Sequence, residues 1–386
     1  MVSSINESLL QSWLRPLLAD LPGTSLFDVH THIGSNDPDG ARLSGEQLIA
    51  ILEPLDARGV VFPMNEPGGY SEANDMILAD AAASDGRLVP FCRLNPNDGA
   101  VVEATRCIEA GARGIKLHPR SDDFLMHSPE AREIFAVANA HRLPVLVHAG
   151  RGIPALGRDT LELSDAFPRA RIILAHAAVS DLSWIWRHMA DHQNVFIDTS
   201  WWVPADLTFL FSHVPPGQIL FGSDVPYGAP ALNAILTIRC GLGTGLSTDQ
   251  IQGVCGAQLE RLLSGEPVLD LGPAPGPPNG ERDLVLERVC LYAMAALARM
   301  IVGADSEELV GLAKLAAEVE DDAPNAATCR TITELISLQA ESLAEVSAKE
   351  LATPSTQRLA LLTPLLLAAL LAATPGVPAP TEPLEV

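Results

Sequence analysis

Between residues 25 and about 240 the apolar positions fall into short runs rich in β-branched residues and bounded by Gly or Pro. The runs are SLFDVHTHI from Ser25, GVVFPMN from Gly59, RLVPFCRLN from Arg87, GIKLHP from Gly114, PVLVHAG from Pro144, RIILAHAA from Arg171, VFIDTSWW from Val195 and ILFGSDVP from Ile219. Stretches with helical spacing of apolar residues lie between them, among them GEQLIAILEPLDARG, SPEAREIFAVANAHRL and DLSWIWRHMADH. Near-continuous apolar runs are what a parallel sheet covered on both faces requires. Strand, helix and strand at intervals of about 25–35 residues imply right-handed parallel units. Eight such units in about 240 residues predict a closed (β/α)8 barrel, an α/β fold. An open doubly wound sheet is the competing arrangement, but no GxGxxG follows any of the runs.

The pattern changes at residues 272–280, GPAPGPPNG, whose four prolines and three glycines sustain neither a helix nor a central strand. Beyond it the chain is rich in Ala, Leu and Glu, and predicts helices over about 282–303, 305–319, 325–351 and 355–373. Asp305 with Glu308 reads as a capping box. The expected organisation is therefore an N-terminal helix within 1–24, a barrel over 25–270, a Pro/Gly linker over 271–280, a helical region over 281–373 and a disordered tail over 374–386. The helical region shows no ligand set, and packing on the barrel or an oligomer contact is its expected role.

Composition narrows the function classes. Twenty-five Lys and Arg against 48 Asp and Glu give a net charge of −23 without a basic cluster, which argues against nucleic acid or an anionic membrane as partner. The most apolar stretch, Leu359 to Ala373, falls short of the roughly 20 residues that span a bilayer, and Pro364 interrupts it. The six cysteines form no CxxC pair, which suits reduced thiols. No secretory signal is visible, and a cytoplasmic location is expected.

Five of the ten histidines stand at predicted strand ends: His30 and His32 after strand 1, His118 after strand 4, His148 after strand 5 and His176 after strand 6. Asp224 ends strand 8. All eight strand ends of a barrel converge on one axis, where such folds place their chemistry. Alternation puts His30 and His32 on one face with Asp28 below them. Five polar groups crowded around that axis are costly unless they share a cation or pair fully, so a metal site is favoured over a structural polar cluster.

These motifs, DVHTHIG, LVHAG, LAHAA and FGSDVP, resemble the amidohydrolase superfamily over about residues 25–240. More narrowly the chain resembles its amidohydrolase-related branch of metal-dependent barrel hydrolases and decarboxylases. The resemblance implies His30, His32 and His148 as metal ligands, Asp224 as a ligand or the base acting on bound water, and His176 as a nearby acid or base. It implies a divalent ion, with Zn2+ favoured and Mn2+ or Fe2+ also suited. One ion is expected; a second would follow if Lys116, the only lysine of the barrel segment, were carboxylated. Lys116 is otherwise a substrate anchor or a partner of Asp28. Lys116, His118, Arg93 and Arg151 are candidate substrate-binding residues, with Asn65, Glu66 and Arg120 beside them, and the arginines suit an anionic substrate. Asp198 and Ser200 share one face of strand 7. They complete the pocket, or Asp198 fixes a histidine tautomer. Trp201 and Trp202 line the pocket or pack at its rim.

The leading expectation is a hydrolase of a small anionic amide, lactone or ester, using a metal-activated water. A metal-dependent non-oxidative decarboxylase, a lyase, needs the same ligands and is the alternative. A catalytically silent barrel with an interaction role comes third. A small-molecule substrate and a homodimer complete the expected partners.

Overall fold

The computed structural model describes residues 2–278, 282–345 and 361–380. Its frame is a single sheet of eight parallel strands in sequence order: β1 (Phe27–Ile33), β2 (Arg58–Pro63), β3 (Leu88–Arg93), β4 (Gly114–Leu117), β5 (Pro144–Val147), β6 (Arg171–Leu174), β7 (Val195–Asp198) and β8 (Ile219–Leu220). Backbone hydrogen bonds close the ring between its ends. The amide of Val29 donates to the carbonyl of Phe221 at 2.9 Å, and that of His32 to Val225 at 2.8 Å. Each expected run holds one strand, so the (β/α)8 barrel read from the apolar pattern is the observed fold.

Helices fill the connections: α1 (Val2–Ala19) before β1, then α2 (Gly45–Leu52), α3 (Ser71–Ala83), α4 (Ala100–Glu109), α5 (Pro129–His141), α6 (Leu156–Ala166), α7 (Leu182–Ile185), α8 (Pro204–His213), α9 (Pro230–Gly243), α10 (Thr248–Gln252) and α11 (Gln258–Ser264). Ser44 starts α2 with a capping box, and Ser128 accepts from the amide of Ala131 ahead of Pro129 in α5. Both satisfy amides that have no partner within the helix. Phe27, Val29, Val60, Phe62, Phe91, Leu146, Ile173, Phe196 and Leu220 fill the barrel interior, so it is a packed core below the mouth. Gly114 on β4 makes room for that filling, since a Cβ there would stand 2.5 Å from the Phe91 ring.

The helical region contains α12 (Leu284–Ile301), α13 (Glu307–Ala316), α14 (Ala326–Glu345) and α15 (Thr363–Ala373). The expected helical segments 346–351 and 355–360 lie outside the described residues. The capping box expected of Asp305 is replaced by a shorter bond, with Asp305 Oδ1 accepting from the amide of Glu307 at 3.1 Å. TPLLLAALLAA, the sequence of α15, is apolar all round because α15 is covered all round: α12 and α14 pack on it, and it reaches α8 and α9 of the barrel. None of the described helices is long and apolar enough to cross a membrane.

The expectation of a disordered tail is corrected over residues 374–380. Val377 is buried there, and the buried Arg239 of α9 donates to the carbonyls of Val377 and Pro378 at 2.8 Å and to Thr374 Oγ1 at 3.1 Å. Thr374 Oγ1 in turn donates to the carbonyl of Leu370 at 2.8 Å. Polar, proline-containing text does not reveal that a guanidinium 138 to 139 places away in a different helix gathers its carbonyls. Residues 381–386 lie outside the described residues.

Candidate metal centre at the barrel mouth

The local course of β1 decides which of its side chains reach the mouth. The pairing of β1 with β2 shifts register between Asp28 and Thr31. Phe27 and Val29 therefore join the inner core, while His30 and His32 above them turn into the pocket. Asp28 does not lie beneath the two histidines as alternation predicted. Its Oδ1 instead accepts the amides of His30 and Ser223, both at 2.9 Å, and ties β1 to the loop after β8. Its Oδ2 is buried without a partner among the described residues, and burial pushes the carboxyl up to about 7 against the hydrogen bonds from Ser223 and His30. The expected pairing of Lys116 with Asp28 is absent from this arrangement.

His30, His32 and Asp224 meet at one point. His30 Nε2 lies 3.2 Å from His32 Nε2, and Asp224 Oδ1 lies 3.1 Å from each of them. The outer nitrogens fix the tautomers. His30 Nδ1 donates to Asp198 Oδ2 at 2.8 Å, and His32 Nδ1 faces the carbonyl of Pro63 at 3.3 Å. Both Nε2 atoms then present lone pairs towards each other and towards a carboxylate. Two imidazole nitrogens and a carboxylate oxygen converging in this way are a ligand set for a cation, with Lys116 Nζ 3.2 Å from His30 Nε2 as the neighbouring positive charge, so the residues present fit a divalent ion. The ligand atoms of His30, His176 and Asp224 also lie within 4.8 Å of one another. Burial opposes ionisation of Asp224, yet His30 and His32 hold its pKa well below the ordinary carboxylate value. Burial brings His32 down to about 3, so its ring is neutral.

His148, which the resemblance implied as a ligand, stands at the edge of this cluster. Its ring stacks on His118 at 3.8 Å between centroids, and its Nδ1 stands 2.9 Å from His176 Nε2. His176 is turned by its Nδ1, 3.0 Å from the carbonyl of Ser200, and its backbone amide donates to Asp198 Oδ1 at 2.8 Å. Asp198 thus positions both His30 and His176, and Ser200 Oγ donates to the same carboxylate oxygen at 2.6 Å. Of the two roles open to Asp198 in the sequence, tautomer partner is the one its geometry shows.

Cationic groups floor the site. Lys116 is fully buried with Nζ 3.2 Å from His30 Nε2 and 4.8 Å from the centre of the Phe62 ring. Burial, only partly offset by Asp224, lowers its ammonium to about 7. Arg93 is buried beside it, donating to Ser121 Oγ at 2.6 Å and facing the Tyr70 ring at 4.8 Å, while its Nε has no partner among the described residues. Two lobes open from the centre and share Arg120, His148, His176, Asp224 and Tyr227. The inner, of about 360 Å³, is lined by Arg93, Lys116, His118 and Asn65; the outer, of about 340 Å³, by Arg151, Trp201, Trp202, Asn233 and Ile301. Arg151 stands apart from the other candidate substrate residues, its guanidinium 5.6 Å from the Trp201 ring. Both tryptophans, which the sequence left between pocket and rim, line the outer lobe. Glu66 stays outside both lobes and accepts from Asn36 at 2.8 Å.

Tyr227, Asn233 and Ile301 are among the lining residues that had no assignment from sequence. Tyr227 sets its ring edge-on to His32 at 5.4 Å and donates to Asp37 at 2.5 Å. It follows the FGSDVP motif directly, which was the available signal. Asn233 and Ile301 carried none, because helical text does not say which helix end meets the mouth.

An eight-stranded parallel barrel with a histidine and carboxylate cluster at the carboxyl ends of its strands is the architecture of metal-dependent barrel enzymes. The family model described as amidohydrolase matches residues 27–235, more than half of the chain, and the chain belongs to that family of metal-dependent enzymes. A comparison with curated protein sequences returns no match. Among solved structures, a 2,6-dihydroxybenzoate decarboxylase from Rhizobium superposes with a TM-score of 0.50 at 15% identity, covering 63% of this chain and 98% of its own. A 5-carboxyvanillate decarboxylase from Novosphingobium aromaticivorans, complexed with manganese and 4-hydroxy-3-methoxy-5-nitrobenzoic acid, gives 0.50 at 13% identity, covering 63% and 96%. An uncharacterised TIM-barrel protein from Bordetella bronchiseptica gives 0.51 at 14%, covering 62% and 98%. At these identities the likeness is one of fold.

Proposed function

We propose that this chain is a metal-dependent hydrolase of a small anionic molecule carrying an amide, lactone or ester bond, with one divalent ion, Zn2+ by preference, held by His30, His32 and Asp224. His148 and His176 stand at its edge. The observation that carries the reading is the meeting of two histidine Nε2 atoms and a carboxylate oxygen at about 3 Å, with the outer His30 nitrogen committed to Asp198. An ion there supplies Lewis acidity and lowers the pKa of water towards about 7. Asp224, between the two histidines and with Oδ2 4.0 Å from His176, is placed to take a proton from a nucleophilic water. His176, its Nδ1 committed to the carbonyl of Ser200, moves a proton through Nε2, and His148 lies within reach of that atom. Lys116, Arg93 and His118 bind the anionic group from the inner lobe, and Arg151 meets the substrate at the outer lobe. We take Lys116 as an unmodified anchor and the charge partner of a bound carboxylate, a reading supported by its burial and by its Nζ 3.2 Å from His30 Nε2.

A specific observation favours a second reading. The buried cations of the inner lobe adjoin the ligand cluster, an arrangement that would hold a substrate carboxylate beside the ion while His176 delivers a proton to carbon. Two solved structures sharing the fold are decarboxylases. The test is a panel of carboxylated esters, lactones, amides and arenes run in H2¹⁸O with carbon dioxide detection. Label in the product acid supports hydrolysis. Carbon dioxide released without label uptake overturns it in favour of the lyase. Turnover of none of these compounds by protein that holds stoichiometric metal contradicts both.

A further inference from the structure

The family match ends at Ile235, and α12 begins about fifty residues later, yet Ile301 at the end of α12 lines the outer lobe together with Trp201, Trp202, Tyr227 and Asn233. The helical region is thus part of the wall of the mouth. The wall is anchored on the rest of the molecule. Asp283 caps α12 by accepting the amides of Val285 and Leu286 at 3.0 and 3.1 Å, and accepts from Asn325 at 2.9 Å. α12 packs on α15, which is buried against α8 and α9. Gln339 of α14 binds the start of α15 through the carbonyl of Leu361 at 2.9 Å and the amide of Leu365 at 3.2 Å. α8 starts two residues after Trp202 and α9 carries Asn233, so the elements that anchor the bundle also carry the opposing side chains of the lobe. Trp201 is held in turn by its Nε1, which donates to Asp206 of α8 at 2.7 Å. Buried contacts of this kind hold a wall in one position and make it a determinant of ligand size.

We propose that the end of α12 is the specificity-determining wall of this site: Ile301 limits the apolar group that lies against Trp201 and Trp202 while the anionic end of the ligand faces the cluster of His30, His32 and Asp224. The inference rests on the metal-dependent reading above. Its consequence is that substrates are small amphipathic anions, with the bundle setting the upper size of their apolar part.

Two measurements on the full chain test it, one of them free of metal. In a Cys290→Ala background the remaining native cysteines are buried, so Ile301→Cys gives a single reactive thiol for a bimane label, whose fluorescence tryptophan quenches on contact. The label is expected to be quenched and to brighten when Trp201 and Trp202 are replaced by Phe. A label at Leu291→Cys, exposed on the same helix and roughly 15 Å away along it, is expected to stay unquenched. The second measurement follows the rate at which dipicolinate, a flat dianion, strips Mn2+ from the loaded protein. Ile301→Trp should slow stripping about tenfold and Ile301→Ala should speed it. Val302→Trp, at a position 73% exposed, should leave the rate at the wild-type value. An unquenched label at residue 301, or equal stripping rates for Ile301→Trp and wild type, overturns the proposal. A chain that holds no manganese while the label is quenched overturns the metal reading and leaves the wall where we place it.

Discussion

Asp198→Asn isolates the electrostatic step on which the metal centre depends. The replacement keeps size and shape, and its Oδ1 can still accept the amides of His176 at 2.8 Å and Ser200 at 3.0 Å. What changes is the atom facing His30 Nδ1, now 2.8 Å from a carboxylate oxygen. With that oxygen replaced by an amide NH2, two donors would oppose each other. The His30 ring relieves this by moving its proton to Nε2, and that removes the lone pair aimed at His32 and Asp224. Loss of a carboxylate that orients a ligating imidazole costs about ten- to a hundredfold in metal affinity, or about 1.4–2.8 kcal/mol. Competitive titration against a chromophoric chelator reads the affinity, and the unfolding midpoint of the metal-free protein shows whether the barrel is intact. A variant that folds like the wild type and binds the ion within about twofold of it would refute the assignment of Asp198 as the group that sets the tautomer of His30.

Two further outcomes follow from buried charge. Arg239→Met removes the donor that holds the carbonyls of Val377 and Pro378; with hydrogen bonds from a charged donor at about 1.5–3 kcal/mol each, partly offset by relief of a buried guanidinium, the expected loss is about 2–3 kcal/mol in urea unfolding, with early proteolysis after Ala373. Unchanged stability and an uncut tail would contradict the clamp. Lys116 is lowered by burial from 10.5 to about 7 in the folded chain, so between these values the unfolded chain binds more protons and stability rises with pH. Metal-free protein should gain up to about 1.4 kcal/mol per pH unit between about pH 7 and 9 on this account, and Lys116→Met should lose that slope in denaturation at a series of pH values. A variant with the wild-type slope would place the lysine in water.

The barrel was legible because its signal is local. Strand runs such as PVLVHAG and RIILAHAA carry their own apolar run, their own Gly or Pro boundary and the histidine at their tip. The candidate site was legible for the same reason, since strand ends converge whatever the loops do. What escaped the sequence depends on contacts between distant segments. The register shift between Asp28 and Thr31 is a property of the pairing with β2, so alternation alone misplaced Asp28. The direction of the His148 ring is set by His118 and His176 on neighbouring strands. Arg239 and residues 374–380 find each other only through the packing of α15, and Ile301 comes to line one lobe with Trp201 and Trp202 through the anchoring of that bundle on α8 and α9.

The most direct measurement is a titration of metal-free protein with Zn2+ and Mn2+ that counts bound equivalents, for the wild type and for His30→Ala and Asp224→Asn. One tightly held equivalent that either replacement releases is the predicted result. A wild-type protein that takes up no stoichiometric ion, or one whose ion stays bound after both replacements, would contradict a cation held between His30, His32 and Asp224.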